Sequence, residues 1–347
     1  MNGDEHAHGQ LGFGAMSSPL AERQAQFESL AAPLRREIKV HCYRMLGSLH
    51  DAEDAVQDAY VRAWRAFDTW EGGSFRAWLY RIATNTSLDA LASRKAHARV
   101  LPDQLGPAST GMPEAPALEV PWLEPFPDYG LELTDDSPTP EARYSSRQAV
   151  QLAFVAAIQQ LPPRQRAALI LCDVLGWSAA EAATLLGGTA ASINSALQRA
   201  RETLAKRYPA GAPAVAIRAG GEAQGLLDRY LRAWEGHDLD GFVALLKDYA
   251  TFTTPPWMQW YSGREAIRAF FQAAWQACGG LKLVRTSANG RPAYAVYEHR
   301  EDDGRWHAHS IHVLGIEGER IGEMVTFVPP AGPKLFAAFG LAEALEA

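Results

Sequence analysis

The sequence predicts a multidomain chain, with two all-α units separated by an acidic linker and followed by an α+β cone on a curved antiparallel sheet. Three observations predict it. Apolar residues recur about every 3.6 residues through 25–99 and again through 145–207, the helical period. Residues 101–141 are rich in proline, glycine and acid and show no period. Beyond residue 250 the pattern changes to strand-like runs separated by glycine turns. The expected boundaries are a flexible tail over 1–24, helical units over 25–100 and 144–208, linkers over 101–143 and 209–221, and the cone over 222–347.

Composition narrows the class. Apolar residues make up 47% of the 347, yet no apolar run approaches a membrane span. No basic-then-apolar leader opens the chain, so a cytoplasmic protein with no membrane partner is expected. Cys42, Cys172 and Cys278 are far apart in apolar helical contexts, as buried free thiols are, and no zinc spacing is present. His6 and His8 belong to the tail. The net charge of −7 argues against a generic nucleic-acid binder, but it is unevenly spread. Residues 20–100 carry 12 basic and 10 acidic groups, and residues 142–208 carry 8 and 3. Residues 101–141 carry 9 acids and no base, and residues 222–347 carry 12 bases and 16 acids. The basic surplus therefore lies in the helical units.

In the first unit Phe27, Leu30, Leu34, Ile38 and Cys42 form an apolar stripe, and Ala55, Ala59, Val61, Ala63 and Trp64 form part of a second. Asp51, Glu53, Asp54, Gln57 and Asp58 gather within about two turns, where Asp54 and Asp58 share a face. Asp51 suits a helix N-terminus, and a solvated acidic helix start is the plain reading of the cluster. Gly72-Gly73 breaks the helices. Phe67, Trp70, Phe75, Trp78 and Tyr80 then place five aromatics in fourteen residues, beside Arg76, Arg81, Arg94, Lys95 and Arg99. Aromatic faces hold unstacked bases and arginines hold the backbone. Trp64, Trp78 and Ile82 are the expected core members of this group.

The second unit reads as a helix-turn-helix. Ser178 and Glu181 form a capping box, Gly187-Gly188 supply the turn, and Thr189 is the N-cap of the second helix. Leu185, Ile193 and Leu197 pack the pair, leaving Ser192, Asn194, Ser195 and Gln198 on other faces, with Arg199 and Arg201 further along. Such a helix fits the major groove, and an αα-hairpin in a helical core is the alternative.

The blocks Asp51 to Arg65 and Phe75 to Asp89, followed by Leu161-Pro-Pro-Arg-Gln-Arg166 and the helix-turn-helix, resemble the extracytoplasmic-function sigma factors over about residues 25–207. The resemblance implies a region 2 helical bundle and a region 4 helix-turn-helix, with RNA polymerase core enzyme and promoter DNA as partners. It implies that Asp51, Glu53, Asp54, Gln57 and Asp58 meet the polymerase clamp, and that Trp70, Ser74, Arg76, Arg81 and Asn85 serve the −10 element beside the loop Glu71 to Ser74. It implies that Thr189, Ser192, Asn194, Ser195, Gln198, Arg199 and Arg201 serve the −35 element. Many relatives carry basic residues where this chain has Asn194 and Ala196, which means fewer released counterions. The acidic linker resembles the sigma finger, with a plain tether as the alternative, and Trp122, Pro125, Phe126, Pro127 and Tyr129 as a sticky spot.

In the last domain helices are expected over 222–236, 239–247 and 264–276, and strands over 281–287, 293–300, 306–316 and 320–328, with hairpin turns at Asp303-Gly304 and Glu317-Gly318. The segment Trp257 to Phe271 and the closing Arg320 to Phe327 resemble the SnoaL-like polyketide-cyclase and ketosteroid-isomerase superfamily. That resemblance implies an apolar pocket, for which Trp257, Tyr261, Trp275, Glu298 and His309 are the candidates, with Trp260, Tyr297, His307 and His312 nearby in sequence. The stretch Met324 to Val328 of the final strand lacks the acid that catalytic members often carry. His307 and His309 are two apart with no evident third ligand, so no metal and no cofactor is expected. The whole reads as a non-enzymatic sigma factor with a regulatory SnoaL-like domain and a small-molecule ligand as a further candidate partner. The alternatives are a SnoaL- or isomerase-like enzyme or ligand sensor fused to a DNA-binding region, and a repressor-type regulator that leaves residues 51–89 unexplained. The segment Leu335 to Leu341 looks built for docking.

Overall fold

Four helices form the first unit, α1 (Pro19–Ala31), α2 (Arg35–Leu46), α3 (Leu49–Ala66) and α4 (Phe75–Ser93). The computed structural model describes residues 19–93, 98–113, 115–130, 151–207 and 221–346. The expectations for His6, His8, Arg94, Lys95, 131–143 and most of 209–221 lie outside those residues. Helix α1 begins at Pro19, so the tail is shorter than the expected 24 residues. The stripe Ala55, Ala59, Ala63 is buried, whereas Val61 is 48% exposed and belongs to the solvent face. Phe27 sits edge-on to Trp64, Phe67 and Phe75. Each such buried ring contributes about 1.5–3 kcal/mol. Gly47 ends α2 with φ 68°. A Cβ there would meet the Gln159 side chain at 2.8 Å, so glycine both stops the helix and admits the second unit.

The second unit contains α5 (Leu152–Gln159), α6 (Pro163–Leu169), which runs into a π-helical turn over Ile170–Val174, α7 (Ala179–Leu186) and α8 (Ala190–Arg207). Arg166 fastens it to the first unit. Its guanidinium, 3% exposed, donates to the carbonyl of Met45 in α2, to Gln159 Oε1 (2.5 Å) and to the carbonyl of Gln159 (2.6 Å). Gln159 Nε2 in turn donates to the Arg44 carbonyl at 3.0 Å.

The last domain opens with α9 (Gly221–Glu235) and α10 (Leu239–Ala244). Strands β1 (Leu246–Thr253) and β2 (Trp260–Ser262), helix α11 (Arg264–Ala277) and strands β3 (Leu281–Ala288), β4 (Arg291–His299), β5 (Trp306–Glu317), β6 (Arg320–Phe327) and β7 (Ala344–Leu345) follow. The helix expected over 239–247 ends at Ala244, and Leu246 already starts β1. The sheet runs β2-β1-β6-β5-β4-β3, with β7 on β5. Only the β1–β6 pair is parallel, and the hairpins at Gly304 and Gly318 are present. Alternation gives the sheet two faces. Leu283, Tyr294, Val296, Leu314 and Met324 face the helices, while Ala293, Ala295, Ile311, Val313 and Phe327 face the other way. Leu335, Phe336 and Phe339 belong to the core on that second face. The segment Leu335 to Leu341 thus docks on the chain's own domain.

The linker is not an open tether where it is described. Residues 98–113 and 115–130 fold back as a strap. Val100 bridges to Trp122, and Leu101, Trp122, Leu123 and Phe126 are buried. Its apolar side chains outweigh its acidic composition once a groove between two domains is available to them.

Candidate functional site

Helix α3 starts at Ser48, whose hydroxyl accepts from Asp51 N at 3.1 Å, so Ser48 rather than Asp51 is the side-chain cap. Glu124 of the strap completes the helix start. Its Oε2 accepts from Ser48 Oγ (2.9 Å), Leu49 N (2.8 Å), His50 N (3.3 Å) and His50 Nδ1 (3.0 Å). Burial acts to raise the Glu124 pKa, but the bond and charge of His50, the charge of Arg99 and the Ser48 bond together outweigh it, and the carboxyl lies below its usual range. The Glu124 bond in turn raises His50 above its usual value. Asp54, Gln57 and Asp58 are exposed on α3. Asp51 is instead ion-paired with Arg99, which also donates to the Trp122 carbonyl at 2.7 Å, and Glu53 is paired with Lys39. Arg99, expected to hold a nucleic-acid backbone, therefore anchors the strap. Sequence reasoning missed Glu124, because the carboxylate and the helix it caps are 75 residues apart.

At the start of α4, Ser74, Arg76, Arg81 and Asn85 are exposed. Arg76 is held by Glu37 at 2.9 Å and lies over the Tyr80 ring. Trp70 is half-buried, stacked on Phe67 and edge-on to Phe75, so it lines the core edge of the loop. Trp64, Trp78 and Ile82 pack against the core as expected.

In the helix-turn-helix, Ser178 and Glu181 make the reciprocal capping box, and Ser192 N donates to Thr189 Oγ1 at 3.1 Å. Ile193, Leu197 and Ala200 are buried, leaving Ser192, Asn194, Ser195, Gln198 and Arg199 exposed on α8. Arg201 is gripped in two bonds by Asp173, at 2.6 and 2.9 Å, so it is not a free phosphate clamp. Arg164 donates to the Leu186 carbonyl at 2.6 Å and closes the C-terminal end of α7. Ser74, Arg76, Trp78 and Arg81 face Trp177, Glu181 and Thr184 across a 430 Å³ groove, with the Tyr80 and Trp177 rings 5.5 Å apart.

Comparison with known proteins agrees with this arrangement. The Sigma-70 region 2 family matches residues 30–97, the Sigma-70 region 4 family residues 151–204, and the SnoaL-like domain family residues 227–324. The chain is 42% identical over 336 residues to the ECF RNA polymerase sigma factor SigG of Mycobacterium tuberculosis, covering 94% of this chain and 87% of that one. The chain belongs to the extracytoplasmic-function sigma factors. As such it directs promoter-specific transcription initiation. SigJ of Mycobacterium tuberculosis is 31% identical over 229 residues, covering 66% of this chain and 64% of that one. The SigJ crystal structure superposes with a TM-score of 0.56 at 22% identity, covering 92% of this chain and 100% of the other, and so shows a shared fold.

The sigma factor's SnoaL-like domain does not gather its five pocket candidates. Trp234, Phe242, Phe271 and Trp275 fill the space between helices and sheet, with ring centroids 4.9–5.7 Å apart. Tyr261 is buried against Phe252 and Phe270, and its hydroxyl donates to the Gly111 carbonyl of the strap at 2.8 Å. Trp257 bridges to Pro116, and Trp260 Nε1 donates to the Gly106 carbonyl. Glu298 of β4 accepts from Gly279 N at 3.4 Å and lies near enough to His309 of the neighbouring β5 for its charge to act on that ring. His307 is held by Asp303 at 2.7 Å, and His309 sits at the β4–β5 register shift rather than on a regular strand face. His309 Nδ1 meets Ser310 Oγ (3.1 Å), which meets His312 Nε2 (3.0 Å), whose Nδ1 meets Tyr230 Oη (2.8 Å). Burial lowers the His312 pKa to about 3, so its ring is neutral and the chain is a structural polar core. Among the described residues no group of three His, Cys, Asp or Glu side chains is placed to hold a metal, and no helix is long and apolar enough to cross a membrane.

Proposed function

We propose that the exposed face of α3, with Asp54, Gln57 and Asp58, meets the core-polymerase clamp, and that Asp51 and Glu53 join it when Arg99 and Lys39 let go. Ser74, Arg81 and Asn85, with Arg76, serve the −10 element, and Trp70 shapes the loop that presents them. Thr189, Ser192, Asn194, Ser195, Gln198 and Arg199 serve the −35 element, Asn194 and Gln198 suiting adenine edges. The observation that carries this reading is α8, which buries Ile193, Leu197 and Ala200 while Ser192, Asn194, Ser195, Gln198 and Arg199 are exposed. The protein acts on polymerase in the cytoplasm. The SnoaL-like domain regulates and does not catalyse, since aromatic rings occupy the space a substrate needs. A small-molecule ligand of this domain is proposed at the Trp257, Trp260 and Tyr261 rim, where it would compete with Gly106, Gly111 and Pro116 of the strap.

The test is run-off transcription with purified core polymerase and the full-length chain. Promoter-specific transcripts are expected. Asp54→Ala with Asp58→Ala should abolish polymerase binding, and Asn85→Ala should lower open-complex formation while polymerase binding persists. Equal loss of polymerase binding with Asn85→Ala would make that segment structural.

A further inference from the structure

The first turn of α3, with Asp51 of the residues proposed to meet polymerase, is already covered by the chain itself, while Asp54, Gln57 and Asp58 beside it stay exposed. Glu124 covers the first backbone N–H groups of the helix, and Arg99 engages Asp51 while tying down Trp122. The cone in turn holds the strap. Asn289, fully buried at the β3–β4 tip with φ 55°, makes a two-way backbone match with Phe126. Its N donates to the Phe126 carbonyl (2.9 Å), and Phe126 N donates to Asn289 Oδ1 (2.8 Å). Asn289 Nδ2 donates to Tyr43 Oη of α2 at 2.9 Å, and Gly290 N donates to Asp128 Oδ1 at 2.8 Å. A buried asparagine with its amide satisfied on both sides fixes one register of the strap and no other. Further along, Ser109 N donates to the Trp260 carbonyl and Ala117 N to the Pro256 carbonyl. Cone and first helical unit are thus joined chiefly through this strap.

We propose that strap residues 119–128 are an internal competitor for the polymerase-facing end of α3, and that the Asn289 tip of the cone sets how firmly the competitor is seated. The proposal rests on the reading of α3 as the polymerase-facing helix. Polymerase binding and strap seating exclude one another, so taking up polymerase frees the strap and with it the cone. Conversely, whatever tightens the tip against the strap withholds the sigma factor from polymerase. The cone acts on α3 through the strap.

The experiment measures affinity of the full-length chain for core polymerase. Asn289→Gly keeps the left-handed turn and removes the amide. It is expected to raise affinity on the order of tenfold, equivalent to about 1.4 kcal/mol. A second variant, Pro127→Cys with Ala288→Cys, joins strap and cone at their bridge. Oxidised, it is expected to lose polymerase binding at least tenfold, and reduction of the same sample should restore it, which separates locking from misfolding. Equal binding by the oxidised and reduced forms, or unchanged affinity for Asn289→Gly, would overturn the proposal. Full polymerase binding by Asp54→Ala with Asp58→Ala would instead overturn the α3 reading beneath it, whatever the crosslink does.

Discussion

Single side chains hold this molecule in its present arrangement, and several of them titrate. Glu124 faces His50, Arg99 and Ser48, and His50 faces Glu124, Glu53 and Asp51. Because His50 is raised above its ordinary 6.5, its contribution to seating the strap is full below that value and is lost as pH rises through the raised one. Glu124 is lowered below its ordinary 4.5, so its contribution is present above 4.5 and is lost only in acid. Burial pushes Asp128 up to about 6, against the bonds from Gly290 and Ser287, so its contribution is full below its ordinary 3.8 and is lost as pH rises from there to about 6. Strap seating should therefore be firmest near pH 4.5, weaken toward pH 6 as Asp128 ionises, and weaken again toward about pH 8 as His50 loses its proton. Hydrogen exchange of the amides of residues 122–126, corrected for intrinsic rate, should show higher protection at pH 5.5 than at pH 8. A flat profile would remove His50 from the seat. Arg166 behaves differently. Its acceptors are carbonyl and amide oxygens, burial lowers its pKa only to about 10, and it stays charged throughout this range.

At the scale of elements, the helix-turn-helix was legible nearly in full. Ser178, Glu181, Gly187 and Thr189 are local signals, and each acts within three or four residues of its partner. Ser178→Ala should cost about 1 kcal/mol and lower the melting temperature of the second unit by a few degrees. The arginines of α8 were less legible, because Asp173 lies 28 residues from Arg201 and reaches it across the π-helical turn. Arg199→Ala should lower the slope of log affinity for promoter DNA against log salt by about one unit, measured on the polymerase complex. Arg201→Ala should lower it less, since Asp173 already neutralises that guanidinium. Equal slopes for both variants would mean that Asp173 releases Arg201 on DNA. Asn194→Ala should relax preference at one −35 position and leave the salt slope alone.

Over the whole molecule, one apolar core runs from the first helical unit through Leu123 and Phe126 of the strap to the outer face of the cone's sheet. The surface of α4 that we propose serves the −10 element looks into the groove against α7, so on that proposal reading two promoter elements at once requires the helical units to separate. Removing residues 222–347 takes away Asn289, Gly290 and the carbonyls of Pro256 and Trp260. The strap should then become sensitive to chymotrypsin at Trp122, Phe126 and Tyr129, and promoter output should change severalfold. Unchanged cleavage together with an unaltered transcription profile would show that the cone neither holds nor regulates the helical part.

What the sequence by itself determined is everything carried by short-range pattern. Helical period, capping box, glycine turns and strand alternation placed the two helical units, the helix-turn-helix and the cone, and two ordered motif blocks pointed to the family. These signals are local because backbone hydrogen bonding and side-chain periodicity are satisfied within an element. Only the tertiary structure decided which charges are free. Asp51, Glu53, Arg76, Arg99 and Arg201 read as a surface inventory, yet each has a carboxylate or cation partner brought from elsewhere in the chain. The linker shows the same division. Its acidity and prolines argue for open chain, and no local signal says that Trp122, Leu123 and Phe126 have a groove to enter. That groove exists only where Tyr43, the start of α3 and Asn289 converge, so the burial that folds the strap is a property of the assembled molecule.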